Sequence, residues 1–166
     1  MATYTSYDPR ELIRTTIGTT WWTEEEGDLY TVNITDNDYN TVRIPLRLAE
    51  EVKTESLDEL PYIEMALIYT QYTPWDIGAS TRQREAYIDC HLYFTDTDNV
   101  VPATFAKAVM DKVQDLIRDA HCTFGNSTNR MFVNIGEVRY IREPKAHQVV
   151  FHYVFEIYAI HYDCCE

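Results

Sequence analysis

The strongest constraint on the fold is a change of hydrophobic period along the chain. In PYIEMALIYTQYT, Ile63, Met65, Leu67 and Tyr69 alternate with Glu64, Ala66, Ile68 and Thr70. In REAYIDCHLYF, Ala86, Ile88, Cys90, Leu92 and Phe94 alternate with Glu85, Tyr87, Asp89, His91 and Tyr93. An extended backbone sends successive side chains to opposite faces, so a period of two reads as a strand. The turn chemistry of PWDIGAS, around Pro74 and Gly78, makes these two strands an antiparallel hairpin. TDTDNVVPATFAKAVMDKVQDLIRDAH then changes period: Phe105, Val109, Val113, Leu116, Ile117 and Ala120 recur three or four apart, leaving Lys107, Asp111, Lys112, Asp115 and Arg118 outside. That spacing predicts an amphipathic helix, with Asp98 or Asn99 offering a cap. After the loop CTFGNSTNR come a third regular strand, MFVNIGEVRYI, the turn REPKAH, and the apolar run VVFHYVFEIYAIHY.

Upstream, Asp8 and Pro9 ahead of RELIRTTI start a short helix that ends near Gly18. The acidic, turn-rich segment that follows predicts an irregular loop or arm at about 19–60, with one strand at 29–34 and an extended stretch at 42–48. The expected architecture is a single α+β domain over residues 1–166. A mostly antiparallel sheet of four or more strands carries the long amphipathic helix on one face, beside the short N-terminal helix. Val149, Phe151, Tyr153, Phe155, Ile157 and Ala159 pack under that helix in this reading. The opposite face holds Tyr87, Tyr93, Val150, Val154, Tyr158, Ile160 and Tyr162. A sheet face turned to water is polar at every second residue, so this one is expected to have a cover.

Charge and composition narrow the partners. Among 166 residues, 14 Lys and Arg stand against 27 Asp and Glu, a net charge of -13 that repels phosphate and anionic lipid. Sequence-specific nucleic-acid binding and membrane association are therefore not expected. No apolar stretch reaches the roughly 18 residues of a membrane span, and MATYTSYDPREL has no basic segment leading into an apolar one, which reads as a soluble intracellular chain. In that compartment Cys90, Cys122, Cys164 and Cys165 are free thiols, and the sequons at Asn33 and Asn126 are chance matches. The 13 tyrosines cover apolar area while keeping a hydrogen-bonding tip, which favours protein interfaces.

The chain contains no Gly-rich phosphate loop, no Gly-X-Ser-X-Gly elbow, no His-Glu-X-X-His and no Cys-X-X-Cys. No catalytic residue, cofactor or metal is expected, and the chain reads as a non-enzyme. DNDYN, with Asp36, Asp38 and Asn40, opens like a calcium loop but has Thr41 where glycine and Arg47 where glutamate are needed, so it reads as a solvated turn. His152 and Glu156 share a strand face about 13 Å apart, too far to bind one ion without a neighbour such as His91. Asp163 and Glu166 beside Cys164 and Cys165 discourage thiolate chemistry. Arg82 and Arg84 are either a solubilising turn or an ion-pair contact to an acidic neighbouring subunit. Trp21 and Trp22 cannot both point to one strand face, so one is folded onto the core or anchors an interface.

The order of DPRELIRTTIG, PYIEMALIYTQ, REAYIDCHLYF, FAKAVMDKVQDLI and VVFHYVFEIYAIHY resembles the tail terminator, or tail completion, proteins of tailed phages and related viruses. The resemblance implies a structural virion protein at the head-proximal end of a tail, assembled in the host cytoplasm. Such proteins are small α+β domains that form a homo-oligomeric, usually hexameric ring, which caps the tail tube protein and meets the head connector or another neck protein. A ring subunit needs two different faces for its neighbours. On that basis Trp21, Trp22, Arg82, Arg84, Tyr87, Tyr93, Val150, His152, Val154, Glu156 and Tyr158 are expected at the subunit interface. The negative charge would let DNA pass through the ring without sticking. The alternative is a small-molecule-binding or hydrolytic α+β domain whose pocket lies on the tyrosine-rich face and uses His91, His152 and Glu156.

Overall fold

Helix α1 (Pro9–Ile17) begins where the capping chemistry places it: Asp8 accepts a hydrogen bond from the Arg10 amide at 2.9 Å, and Pro9 occupies the first turn, where its missing N–H costs nothing. The structure is a computed structural model and describes residues 8–24, 27–36, 38–51, 60–74, 81–95, 101–120, 124, 129–141 and 150–164. At Gly18 the chain turns so tightly that a Cβ would stand 2.6 Å from the Arg14 carbonyl and 2.8 Å from Cβ of Tyr30, so only glycine fits.

Among the described residues, seven strands follow in one sheet: β1 (Thr19–Thr23), β2 (Gly27–Thr35), β3 (Thr41–Leu48), β4 (Tyr62–Pro74), β5 (Thr81–Thr95), β6 (Asn129–Ile141) and β7 (Val150–Cys164). A single 3-10 turn (Ala49–Glu51) follows β3, and α2 (Pro102–Ala120) joins β5 to β6. The spatial order is β1-β2-β3-β4-β5-β7-β6. All neighbours are antiparallel except β3 and β4, which run parallel.

This architecture corrects the expected one. In place of an α+β sandwich in which one long helix covers a sheet face, the described residues form a strand-dominated, mixed seven-stranded sheet, antiparallel at five of its six junctions, with two helices of 9 and 19 residues. A 19-residue helix is about 28 Å long and about 10 Å wide. Seven strands spaced about 4.8 Å apart make a sheet about 30 Å across, so α2 spans only part of the face that it shares with α1. Of the arm expected at about 19–60, residues 52–59 lie outside the described residues; the strand at 29–34 and the extended stretch at 42–48 are present as β2 and β3, and the correction is that β1 joins them in an antiparallel meander. Its strands are rich in Thr, Val, Ile, Tyr and Trp, which suit a pleated surface, while the acidic residues that made the segment look irregular gather in the connections. One such connection is DNDYN. Asp36 accepts hydrogen bonds from the amides of Asp38 and Asn40 at 2.9 and 2.8 Å, and Tyr39 turns through a φ of 64°.

The core lies between the sheet and the two helices. Ile13 and Ile17 of α1 and Ala106, Val109, Val113 and Ile117 of α2 pack with Ile63, Met65, Ile88, Leu92, Phe155 and Ile157 of the sheet. Cys90, opposite Met65 and Phe155 in register, is a free thiol in this core, and burial pushes its pKa up, with Asp89 adding to the rise. A bulge between Leu67 and Tyr69 breaks the plain alternation read from β4, so that Tyr69 pairs with Tyr87 and leaves the register of Leu67. On the helix side Arg10 is buried. It donates to Asp8, to Glu50 at 2.8 Å and to the Met65 carbonyl at 3.1 Å, tying α1, the 3-10 turn and β4 together. The Asp8 carboxyl, which burial would raise, is held below its ordinary range by these bonds to Arg10. Asp98, Asn99, Gly78, Cys122, Asn126 and Cys165, named in the sequence reading, lie outside the described residues, as do the side chains of Arg82 and Cys164.

Candidate functional site

The face of the sheet turned away from both helices gathers most of the chemically distinctive side chains. Register alone builds it. Cross-strand partners share a face, so one row runs Arg47, Glu64, His91, Val154 and Arg139 across β3, β4, β5, β7 and β6. The row on one side is Tyr62, Tyr93 and His152; on the other side Asp89 stands directly opposite Glu156, and beyond them Tyr87 opposes Tyr158.

At the centre, Nδ1 of His91 and Nε2 of His152 are 2.7 Å apart. One imidazole donates and the other accepts, so at least one ring is neutral. Tyr93 stacks on His152 with ring centroids 4.3 Å apart and meets Tyr62 at 5.2 Å, while the Arg47 guanidinium lies 5.6 Å from the Tyr62 ring. These neighbours bury His152 and Val154. Burial lowers the pKa of His91, and His152 lowers it further, against the pull of the Glu64 and Asp89 carboxylates. Burial raises the Tyr158 hydroxyl, and its hydrogen bond to Glu85 raises it more; the ring packs 4.7 Å from Tyr87.

The sequence-derived residues separate on this geometry. Tyr87, Tyr93, His152, Val154, Glu156 and Tyr158 share the open face with His91. Arg84 pairs with His161 and Tyr72 on the helix-bearing side. Val150 is at the start of β7, paired with Thr95. Trp21 and Trp22 are both exposed, on the outermost strand β1, and the Arg43 guanidinium stacks 3.5 Å from the Trp21 ring. Arg47, Tyr62 and Arg139 were not singled out from the sequence. Each sits at a period-two position of a strand, but only the long-range register puts them beside the histidines.

What this face can do chemically is limited by how its groups are used. The two imidazoles occupy one nitrogen of each other, and among the described residues no group of three or more His, Cys, Asp or Glu is placed to hold a metal ion. Among the described side chains the thiol that could act as a nucleophile, Cys90, points into the core. A cleft of about 370 Å³ does exist, but it opens on the helix side, lined by Ile34, Val42, Leu60, Phe94, Phe105 and Ala108, and none of His91, His152 or Glu156 borders it. The chain matches no family model and no curated protein. Function therefore has to be read from this face and from the edges of the sheet.

Proposed function

We propose that this chain is a structural subunit of a viral tail, similar in role to a tail terminator: it forms a ring that caps the tail tube and meets the head connector. The observation that carries the reading is the open sheet face, where aromatic and charged side chains alternate with no described helix over them. Aromatic residues with polar tips, flanked by charge, are the composition of a protein contact rather than of a reaction centre. The net charge of -13 suits a ring through which DNA slides.

The test is direct. The purified chain is examined by native mass spectrometry and negative-stain electron microscopy, and then mixed with tail tubes. Closed rings that bind one end of the tube and stop its elongation are expected. A chain that stays monomeric at high concentration and leaves tube growth unchanged would sink the reading.

A further inference from the structure

We propose that the two outer edges of the sheet, β1 and β6, are the complementary halves of one head-to-tail contact between copies of this chain. The inference rests on the ring reading above and names the surface that closes the ring.

Strand direction comes first. Of the six neighbouring pairs in the sheet, five are antiparallel and one, β3 with β4, is parallel. β1 and β6 consequently run in opposite senses. Copies related by rotation about an axis along the strands keep both strand sense and sheet face, so β6 of one copy meets β1 of the next antiparallel. Seven strands in all-antiparallel order would have made that contact parallel, which is the weaker pairing. The single parallel pair thus fits the two edges to each other.

The side chains on the edges match on both faces. Register carries Trp21 through Leu29, Thr31 and Pro45 to the face of Arg47 and His91, the same face as Phe132 and Arg139; Trp22 and Tyr140 are on the helix-bearing face. All four aromatics are exposed: Trp21 by 42%, Trp22 by 63%, Phe132 by 55% and Tyr140 by 52%. Edge strands meant for water are protected by lysine, proline or inward charge. β1 reads TTWWT, with none of these, and adds tryptophan, a common anchor of protein contacts.

Charge agrees with direction. β1 runs into Glu24, Glu25 and Glu26, with Asp28 just beyond, whereas β6 carries Arg130 and an exposed Arg139. In the antiparallel sense the end of β1, followed by Glu24, comes to the start of β6, where Arg130 lies in the strand.

The experiment uses two full-length variants, each with one edge blocked. Trp21→Lys with Trp22→Lys spoils β1 and leaves β6 intact; Phe132→Glu with Arg139→Glu spoils β6 and leaves β1 intact. Native mass spectrometry is run on the wild type, on each variant alone and on an equal mixture. The expected result is a wild-type oligomer, self-association weakened more than about tenfold in each variant alone, and a one-to-one heterodimer in the mixture. Homodimers of either variant alone would mean that like edges pair, which overturns the head-to-tail assignment. A wild-type oligomer that survives in both variants overturns the edge assignment while sparing the ring reading; a monomeric wild type overturns both. Amide exchange on the wild type covers the case of a misfolded variant. Protection of β1 and β6 should rise with protein concentration, and unchanged protection at both edges refutes the contact.

Discussion

The two faces of strand β5 carry neighbouring residues to opposite fates. Ile88, Cys90 and Leu92 are sealed in the core, while Tyr87, Asp89, His91 and Tyr93, alternating with them, remain partly exposed on a face that no described helix covers. On the helix side, shape complementarity and removal of apolar area from water supply the stability. On the open side, side chains are held by rings stacking on rings and by one histidine pair, and Asp89 opposite Glu156 costs stability. A face that tolerates directly opposed carboxylates is not optimised for the folded monomer alone. That contrast is the physical reason for assigning the open face and its edges to assembly.

Phe155→Ala and Tyr158→Ala test the contrast on β7 with the largest effect. Phe155 is fully buried, so its truncation should cost about 3–5 kcal/mol by denaturant unfolding. Tyr158→Ala should cost about 1 kcal/mol, the worth of its pairing with Tyr87. Equal losses would break the distinction between the faces. The buried Arg10 comes next. Arg10→Ala leaves the Met65 carbonyl without this donor and should cost about 2 kcal/mol, whereas Glu50→Ala, which removes an exposed partner, should cost under about 1 kcal/mol.

The smallest effect is expected from pH. The folded pKa of His91 is depressed, chiefly by burial and then by His152, so the unfolded chain binds the proton more readily. His91 therefore contributes stability that is complete above the unfolded value of 6.5 and is lost as pH falls through the lower folded value. Asp8, Glu50 and Glu51 also have depressed values, and their contribution fades only at more acid pH, below the ordinary 3.8 to 4.5. Melting temperature should thus begin to fall just under pH 6.5 in the wild type and stay level there in His91→Phe. An identical decline in both would remove the histidine pair from the account.

Much of the fold's local structure was legible because its signals are short-ranged. Asp8 and Pro9 start a helix by chemistry contained within one turn, and the alternation in REAYIDCHLYF sorts Ile88 from Asp89 without reference to any other segment. In the segment expected as an irregular arm, the strand at 29–34 and the extended stretch at 42–48 were legible from alternation and hold the buried Thr31, Val32 and Ile44. β1 escaped because TTWWT is only five residues long and its pairing with β2 is set by register. The bulge at Leu67 and Tyr69 escaped because one extra residue leaves no mark on composition.

By itself the sequence determined which residues can share a strand face and where the first helix starts, since these depend on neighbours a few positions away, and that the molecule is strongly acidic, which is a sum over composition. Tertiary structure alone decided that β3 and β4 run parallel, that the two edge strands oppose each other in sense, and that His91 meets His152 across 61 residues. Pairing between distant strands is selected by the burial of the whole core, a sum over long-range contacts, and no local pattern encodes it.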